Sequence, residues 1–319
     1  MMATRLTVLE ICAGAGGQAL GLEMAGFSTT AAVEIDQHAA GTLRLNRPNW
    51  RVIQGDIREL DGAKFRGVDL LAGGVPCPPF SKAGKQLGAD DERDLFPEAL
   101  RIIAECKPRA VMLENVPGFA ELKFQGYRDD LMLKLRGLGY EPSWRVLQAS
   151  DFGVPQLRPR FILTALRPKD ARHFSLKLPN RTPPTVGEAL VDLMGADGWA
   201  GATAWAAKAN KVGPTLVGGS KKHGGPDLGP TRAKRQWAQL HVDGMGIANT
   251  PPPADSPDDF MPRLTVRMAA RIQGFPDSWQ FFGRKTNSYR QIGNAFPPQV
   301  ACFIGKAVLR AIKAERSIG

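Results

Sequence analysis

The 319-residue chain carries 42 Lys+Arg against 31 Asp+Glu, a formal net charge of +11, with 43% hydrophobic and 23% charged residues. That is the balance of a globular protein long enough for one large domain and a smaller one. No apolar run approaches the roughly 18–20 residues of a membrane span. Leu6–Ile11 is too short and too polar at Glu10 for a signal segment.

Four cysteines (Cys12, Cys77, Cys106, Cys302) stand far apart, with neither a CxxC pair nor metal-ligand spacing. A reduced, intracellular protein with no bound metal is therefore expected. The positive charge is uneven. Residues 1–150 hold 18 Lys+Arg against 19 Asp+Glu, and residues 151–319 hold 24 against 12. A neutral half joined to a basic half suggests that one part handles a small cofactor and the other faces a polyanion.

Leu6–Ile11 reads as a first strand, and Gly14-Ala15-Gly16-Gly17 as a tight turn into a helix running to about Ala25. Gly14, Gly16 and Ala19 fit the loose dinucleotide fingerprint GxGxxG/A, a weak signal alone. A second strand, Thr29–Val33, ends at Glu34, twenty residues after Gly14. An acid there can accept hydrogen bonds from both ribose hydroxyls of an adenosine; the alternative is a solvated strand-end carboxylate. A helix over Gln37–Leu45 leads to a third strand, Arg51–Gln54, and Asp56 lies just beyond its end, placed to receive an adenine amino group.

Val68–Ala72 forms a fourth, buried strand and runs into Gly73-Gly74-Val75-Pro76-Cys77-Pro78-Pro79-Phe80-Ser81. Prolines fix φ and remove backbone donors, so this is a stiff loop. A cysteine there is a candidate nucleophile, against the commoner fate of a free cysteine as a buried small hydrophobe. Lys82–Asp94 is polar and charged and resembles a lid, and Leu95–Cys106 reads as a helix. A fifth strand, Ala110–Leu113, ends in Glu114-Asn115-Val116. Five strand ends thus carry Gly14–Gly17, Glu34, Asp56, Cys77 and Glu114 on one edge, where doubly wound sheets bind their ligands.

Beyond a helix near Tyr127–Leu138 and a strand at Ser143–Gln148 comes Gln156-x-Arg158-x-Arg160, feeding the strand Phe161–Ala165. Arg158 and Arg160 share a face if the backbone is extended. Residues 167–262 are rich in Gly, Pro and Ala, with Lys221, Lys222, Arg232, Lys234 and Arg235 interleaved with Gly and Trp, a pattern suited to phosphate contacts. Pro251-Pro252-Pro253 reads as a boundary, Arg263–Gly274 as a helix, Tyr289–Pro298 as a rigid turn, and Gln299–Ala314 as a closing amphipathic helix.

None of the four histidines makes a Cys-His signature, so hydrolysis is not indicated. A thiol can add to carbon 6 of a pyrimidine when an acid, for which Glu114 is placed, supports ring nitrogen 3. Carbon 5 then becomes nucleophilic enough to take a methyl group from an adenosyl donor. A base within a duplex must first be extruded.

At these residues the chain resembles the DNA (cytosine-5) methyltransferases over nearly its whole length. The resemblance rests on Cys12-Ala13-Gly14-Ala15-Gly16-Gly17, Pro76-Cys77, Glu114-Asn115-Val116, Gln156-x-Arg158-x-Arg160 and Gln291-x-Gly293-Asn294. It extends to Arg263-Leu264-Thr265-x-Arg267-x-x-Ala270-Arg271-x-Gln273-x-Phe275-Pro276. It implies an α/β architecture: a Rossmann-like sheet domain for S-adenosylmethionine (1–180 plus 288–319) and a small, irregular target-recognition domain (181–287). It implies catalysis by Cys77 with Glu114, Arg158 and Arg160, and cofactor contacts from Cys12, Gly14, Gly16, Gly17, Glu34, Ile35, Asp56, Ile57, Pro76 and Asn294. DNA contacts fall to Ser81, Gln86 and the five basic residues of the variable region.

Two residues depart from the family's pattern: Cys12 stands where Phe is usual, and Pro78 where Gln usually follows the nucleophile. The partners implied are duplex DNA and, within a restriction–modification pair, a cognate restriction endonuclease. The chain would act as a monomer in the bacterial cytoplasm, at the nucleoid when bound to DNA. The tRNA-methylating branch shares these motifs, but the variable region lacks its Cys-Phe-Thr signature. A catalytically silent DNA-binding regulator would not need Cys77, Glu114 and both arginines. A nicotinamide oxidoreductase would rest on the glycines alone and leave the basic half unexplained.

Overall fold

In the computed structural model, which describes residues 5–76, 94–179, 181–219 and 227–316, the apolar run TVLEI becomes the strand β1 (Thr7–Ile11) near the middle of a seven-stranded sheet. The other strands are β2 (Ser28–Glu34), β3 (Val52–Gln54), β4 (Leu70–Gly74), β5 (Ala110–Asn115), β6 (Glu141–Gln148), β7 (Gln156–Leu157), β8 (Pro159–Leu166) and β9 (Gly213–Pro214). The first helices are α1 (Gly17–Ala25), α2 (Gln37–Asn46), α3 (Phe96–Cys106), α4 (Gln125–Gly137) and α5 (Pro168–Ala171). They are followed by α6 (Val186–Met194), α7 (Ala202–Lys208), α8 (Thr231–Ala238), α9 (Val266–Ile272), α10 (Lys285–Asn294) and α11 (Pro298–Arg316).

The chain divides into two units, one of residues 1–147, 159–178 and 300–319, the other of 148–158 and 179–299. In the first, the strand order is β3-β2-β1-β4-β5-β8-β6. β1 pairs in parallel with both β2 and β4, and β4 in parallel with β5, while β8 runs antiparallel to β5. Strands buried on both faces need near-continuous apolar sequence, which Leu70-Leu71-Ala72 and Ala110–Leu113 supply. The order reverses between β1 and β4, the place where open α/β sheets leave a crevice at the carboxyl ends of their strands. The core beneath it joins Leu9, Ile11, Leu71, Val111 and Leu113 to Ile102 and Ile103 of α3.

Most sequence expectations for this unit match the elements within a few residues. α2 begins where Asp36 caps it, its carboxylate accepting from the His38 and Ala39 amides at 2.8 and 3.1 Å. The Rossmann-like sheet is therefore as expected.

The second unit is built of short helices around a two-stranded parallel ladder of β7 and β9. Trp205, Trp237 and Trp279 are fully buried in it. α6 opens on a capping box between Thr185 and Glu188.

Three expectations change here. Pro251–Pro253 is no boundary, because Pro253 bridges to Gly198 and Ala248 to Thr265 within the same unit. The stretch read as a rigid turn at Tyr289–Pro298 is helical through Asn294. Residues 148–158 and 288–299, assigned from sequence to the sheet domain, pack with the second unit. The physical reason is a set of buried polar contacts made by Gln156 and Arg158, described below.

Candidate functional site

The glycine turn after β1 is shaped for close approach. Cys12 (φ 50°), Gly14 (φ 54°) and Gly16 (φ 84°) all adopt left-handed backbone, closed by Gly16 N–H donating to Ala13 O at 3.1 Å. A Cβ on Gly14 would meet nothing within 4 Å, so open space borders the turn. Gly17 then starts α1 with no side-chain cap.

Glu34, at the end of β2, is 8% exposed. Its Oε2 accepts the Gly14 amide at 2.7 Å and its Oε1 the Asp36 amide at 2.8 Å. Burial raises its pKa, and these backbone donors oppose that rise. A carboxylate offers about four lone-pair sites, more than the backbone donors of Gly14, Ile35 and Asp36 use. Ile35 beside it leaves a large apolar side chain 66% exposed.

Asp56 follows β3, its Oδ1 accepting the Arg58 amide and its Oδ2 meeting Arg58 Nη1, both at 2.9 Å. Ile57 follows directly. Its side chain belongs to the core, 3% exposed, so it can offer a ligand only its backbone.

Glu10 is a further candidate that the motifs do not single out. It sits in β1, fully buried, and neither carboxylate oxygen makes a hydrogen bond of good geometry. Burial drives its pKa well above the carboxylate range; the Ala19 amide offsets part of this, and Glu34 adds to it. Nearby, the side-chain amide of Gln18 is likewise buried without a hydrogen bond from its nitrogen. Buried polar groups without partners are uncommon, and each calls for a reason. The signal was legible: one acid inside an otherwise apolar strand, two residues before Cys12.

The Cys12 thiol has its pKa pushed far up, first by burial and then by the charges of Glu34, Asp56 and Glu10. It stays protonated and unreactive. The negative charge felt at Cys12 suits a cationic ligand nearby.

Further along the same edge, Glu114 closes β5. The sheet register sets it opposite Gly74 of β4 on one side and Ile162 of β8 on the other. Arg160, two residues before Ile162, is then its diagonal neighbour on the same face. Arg160 Nε meets Glu114 Oε1 at 2.8 Å, both side chains 13% exposed. Burial lowers the Arg160 pKa, and Glu114 opposes that by supporting the charge. A Cβ at position 74 would lie 3.2 Å from Glu114 Oε2, so the glycine clears room for the carboxylate.

Asn115, beside Glu114 in the acidic motif, has a structural role. It is 5% exposed, and its Nδ2 donates to Val75 O at 2.9 Å while its Oδ1 accepts the Val116 amide at 2.7 Å. It ties the end of β5 to the backbone just ahead of exposed Pro76. Cys77, Ser81 and Gln86, and the departure at Pro78, lie outside the described residues, as do Lys221 and Lys222.

In the second unit Arg158 is not where sequence placed it. It is fully buried, with Nη1 donating to Leu216 O at 2.8 Å and Nη2 to Gly293 O at 2.8 Å and Ala295 O at 3.0 Å. Gln156, also fully buried, donates to Gln273 Oε1 at 2.8 Å and accepts the Leu216 amide at 2.8 Å. Arg158 is thus a strut of this unit, while Arg160 belongs with Glu114 in the other.

Asn294 ends α10, exposed, with Nδ2 donating to Gly219 O at 3.4 Å. On α8, Arg232 and Arg235 are exposed. Lys234 instead pairs with Asp227 at 2.7 Å, which leaves it less available to a phosphate.

Comparison with known proteins adds an independent line. Residues 6–310 match the family model described as C-5 cytosine-specific DNA methylase. The chain is 59% identical over 314 residues to the Type II methyltransferase M.NaeI of Lentzea aerocolonigenes, covering 97% of this chain and 76% of that protein. It is 54% identical over 315 residues to M.NgoMIV of Neisseria gonorrhoeae, covering 98% and 99%. A solved DNMT2 mutant from Spodoptera frugiperda superposes with a TM-score of 0.67 over 95% of this chain and 99% of its own, at 19% identity, a likeness of fold.

Proposed function

The chain belongs to the C-5 cytosine-specific DNA methylases, and from that premise we propose which residues carry the reaction. The protein is a DNA (cytosine-5) methyltransferase that uses S-adenosylmethionine, acting within a specific sequence. The donor set fits that cofactor. Gly14 borders open space, Glu10 is a buried acid without a strong partner, and Glu34 closes the turn through the Gly14 amide at 2.7 Å. Such a set suits a ligand with a sulfonium and an ammonium group. Bound there, S-adenosylmethionine supplies an electrophilic methyl carbon.

In this reading Glu34 accepts the ribose hydroxyls, Asp56 the adenine amino group, and Ile35 covers one face of the ring. The first-turn amides of α1 and Gly14, Gly16 and Gly17 line the remainder, with Pro76 as a further contact. Cys12 packs where a larger ring would stand in other family members.

The observation that carries the catalytic assignment is the Glu114–Arg160 pair beside Gly74, with Asn115 tied to Val75. Cys77 follows Gly74 by three residues in the sequence. The Cys77 thiolate adds to carbon 6 of an extruded cytosine, while Glu114, held by Arg160, supports the proton at ring nitrogen 3. S-adenosylmethionine held by Glu34 and Asp56 would supply the methyl group to carbon 5, its sulfur leaving with the bonding pair as S-adenosylhomocysteine, and the carbon 5 proton would pass to a base. Elimination of the Cys77 sulfur restores the aromatic ring and the enzyme.

The second unit reads the target, with Arg232, Arg235, Lys221 and Lys222 meeting phosphates and Lys234 in a lesser part. Relatives named as Type II methyltransferases support a further reading, in which the chain protects DNA from a cognate restriction endonuclease. We take it to act as a monomer in the bacterial cytoplasm, at the nucleoid while on DNA. No helix among the described residues is long and apolar enough to cross a membrane.

The decisive experiment incubates the purified protein with labelled S-adenosylmethionine and mixed genomic DNA, then maps 5-methylcytosine at base resolution. Marks confined to one short motif, lost in Cys77→Ser while DNA binding persists, are expected. Full activity in Cys77→Ser overturns the covalent mechanism.

A further inference from the structure

α3 presents one polar face to the segment that follows Asp56. Arg101 donates Nη2 to Ile57 O at 2.9 Å and Nη1 to Leu60 O at 2.9 Å. Nη2 also reaches Arg58 O at 3.4 Å, while Nε donates to Glu98 at 2.7 Å and Nη1 to Glu105 Oε1 at 2.8 Å, both on its own helix. Glu105 reaches the same segment independently, its Oε2 accepting the Gly62 amide at 2.8 Å. The acids at i−3 and i+4 orient the guanidinium, and the guanidinium in turn grips two carbonyls three residues apart.

Those carbonyls belong to the turn that sets Asp56. Residues 57–59 form one turn of 3₁₀ helix, capped at its start by Asp56 through the Arg58 amide. If that turn shifts, its cap moves with it. Exposed ion pairs of this kind contribute little to stability on their own. A planar fork on two backbone carbonyls does something else: it fixes geometry, and a lysine's single ammonium cannot reproduce it.

We propose that Arg101 is a positioning residue for the adenine end of the cofactor, holding the Asp56 carboxylate where it can accept the 6-amino group. The inference rests on the reading of Asp56 given above. Arg101 touches neither cofactor nor DNA and acts through the turn alone. Its loss should therefore weaken recognition of the amino group and leave contacts elsewhere along the ligand unchanged.

The test is calorimetric binding of S-adenosylhomocysteine and of S-inosylhomocysteine, which bears oxygen in place of the 6-amino group. Four proteins are compared: the parent, Asp56→Ala, Arg101→Met, which keeps an apolar stem, and Arg101→Lys, which keeps the charge. The parent should prefer the adenosyl ligand by at least about tenfold, the worth of a hydrogen bond to a charged group. Asp56→Ala should lose that preference, and both Arg101 variants should lose most of it while binding the inosyl ligand as the parent does.

If Asp56→Ala keeps the preference, the reading of Asp56 falls and this one with it. If Asp56→Ala loses it but both Arg101 variants keep it, Arg101 does not position the carboxylate. Equal weakening of both ligands in both Arg101 variants would mark a merely structural role and also overturn the proposal.

Discussion

Arg158 and Arg160 are two residues apart, and the structure gives them different tasks. Consider Arg158→Met, which keeps most of the side-chain volume and removes the guanidinium. Ala295 O still accepts from the Gln273 side-chain amide, so it keeps a partner. Leu216 O and Gly293 O, on buried residues, lose theirs. An orphaned buried acceptor costs about 1–3 kcal/mol, so the pair should cost roughly 2–6 kcal/mol. That is a large share of the 5–15 kcal/mol by which domains are usually stable.

Arg160→Met breaks an ion pair instead, but Glu114 can bind a proton and become neutral, which limits the cost. A carbonyl has no such escape. Urea denaturation followed by tryptophan fluorescence reads this well, since four of the six tryptophans lie in the second unit. With a slope of about 2 kcal/mol per molar, Arg158→Met should lower the midpoint by about 1–3 M. Arg160→Met should move it less and abolish methyl transfer by at least about a hundredfold. An Arg158→Met protein of parental midpoint that is nonetheless inactive would refute the strut and return Arg158 to the chemistry.

Three further outcomes follow from the charges. Glu10 has a raised folded pKa, so the folded state holds its proton more tightly than the unfolded chain. Its contribution is complete below the ordinary value of 4.5 and is lost as pH rises toward the folded value. Glu10→Gln should therefore flatten the decline in cofactor-free stability as pH rises above 4.5; an unchanged slope in urea titrations would count against it. The Cys106 thiol is pushed up to about 12 and Cys12 higher still, so both should resist maleimide at pH 7 while Cys77 is modified. Peptide mass mapping that finds Cys12 labelled first would contradict the site electrostatics. Finally, Arg232→Ala and Arg235→Ala should each reduce the slope of log K against log salt for DNA binding by about 0.9; a slope unchanged in both would remove α8 from the phosphate contacts.

The parts of this molecule that sequence disclosed are those set by local rules. A glycine turn after an apolar strand, an acid at the next strand's end and a cysteine in a proline-stiffened loop all report on their own few residues. The right-handed connectivity of parallel strands then gathers them on one edge. Glu114 is legible for that reason. Its pairing with Arg160 follows once β8 is known to lie antiparallel beside β5, a register that no short motif states.

Arg158 shows where such reasoning stops. The rule that residues two apart share a face holds only along a continuous strand. Here β7 ends at Leu157 and β8 begins at Pro159, a residue with no amide hydrogen to carry a ladder through. Arg158 falls in the break and turns toward carbonyls 58, 135 and 137 residues away in sequence. Backbone carbonyls exist at every position, so a side chain that recruits them leaves no complementary residue type to be found. The same holds for Arg101, whose partners in the Asp56 turn are main-chain oxygens. A carboxylate chosen to meet a substrate is visible in composition and spacing. The arginines that hold the backbone in place for it are visible only after the chain has folded.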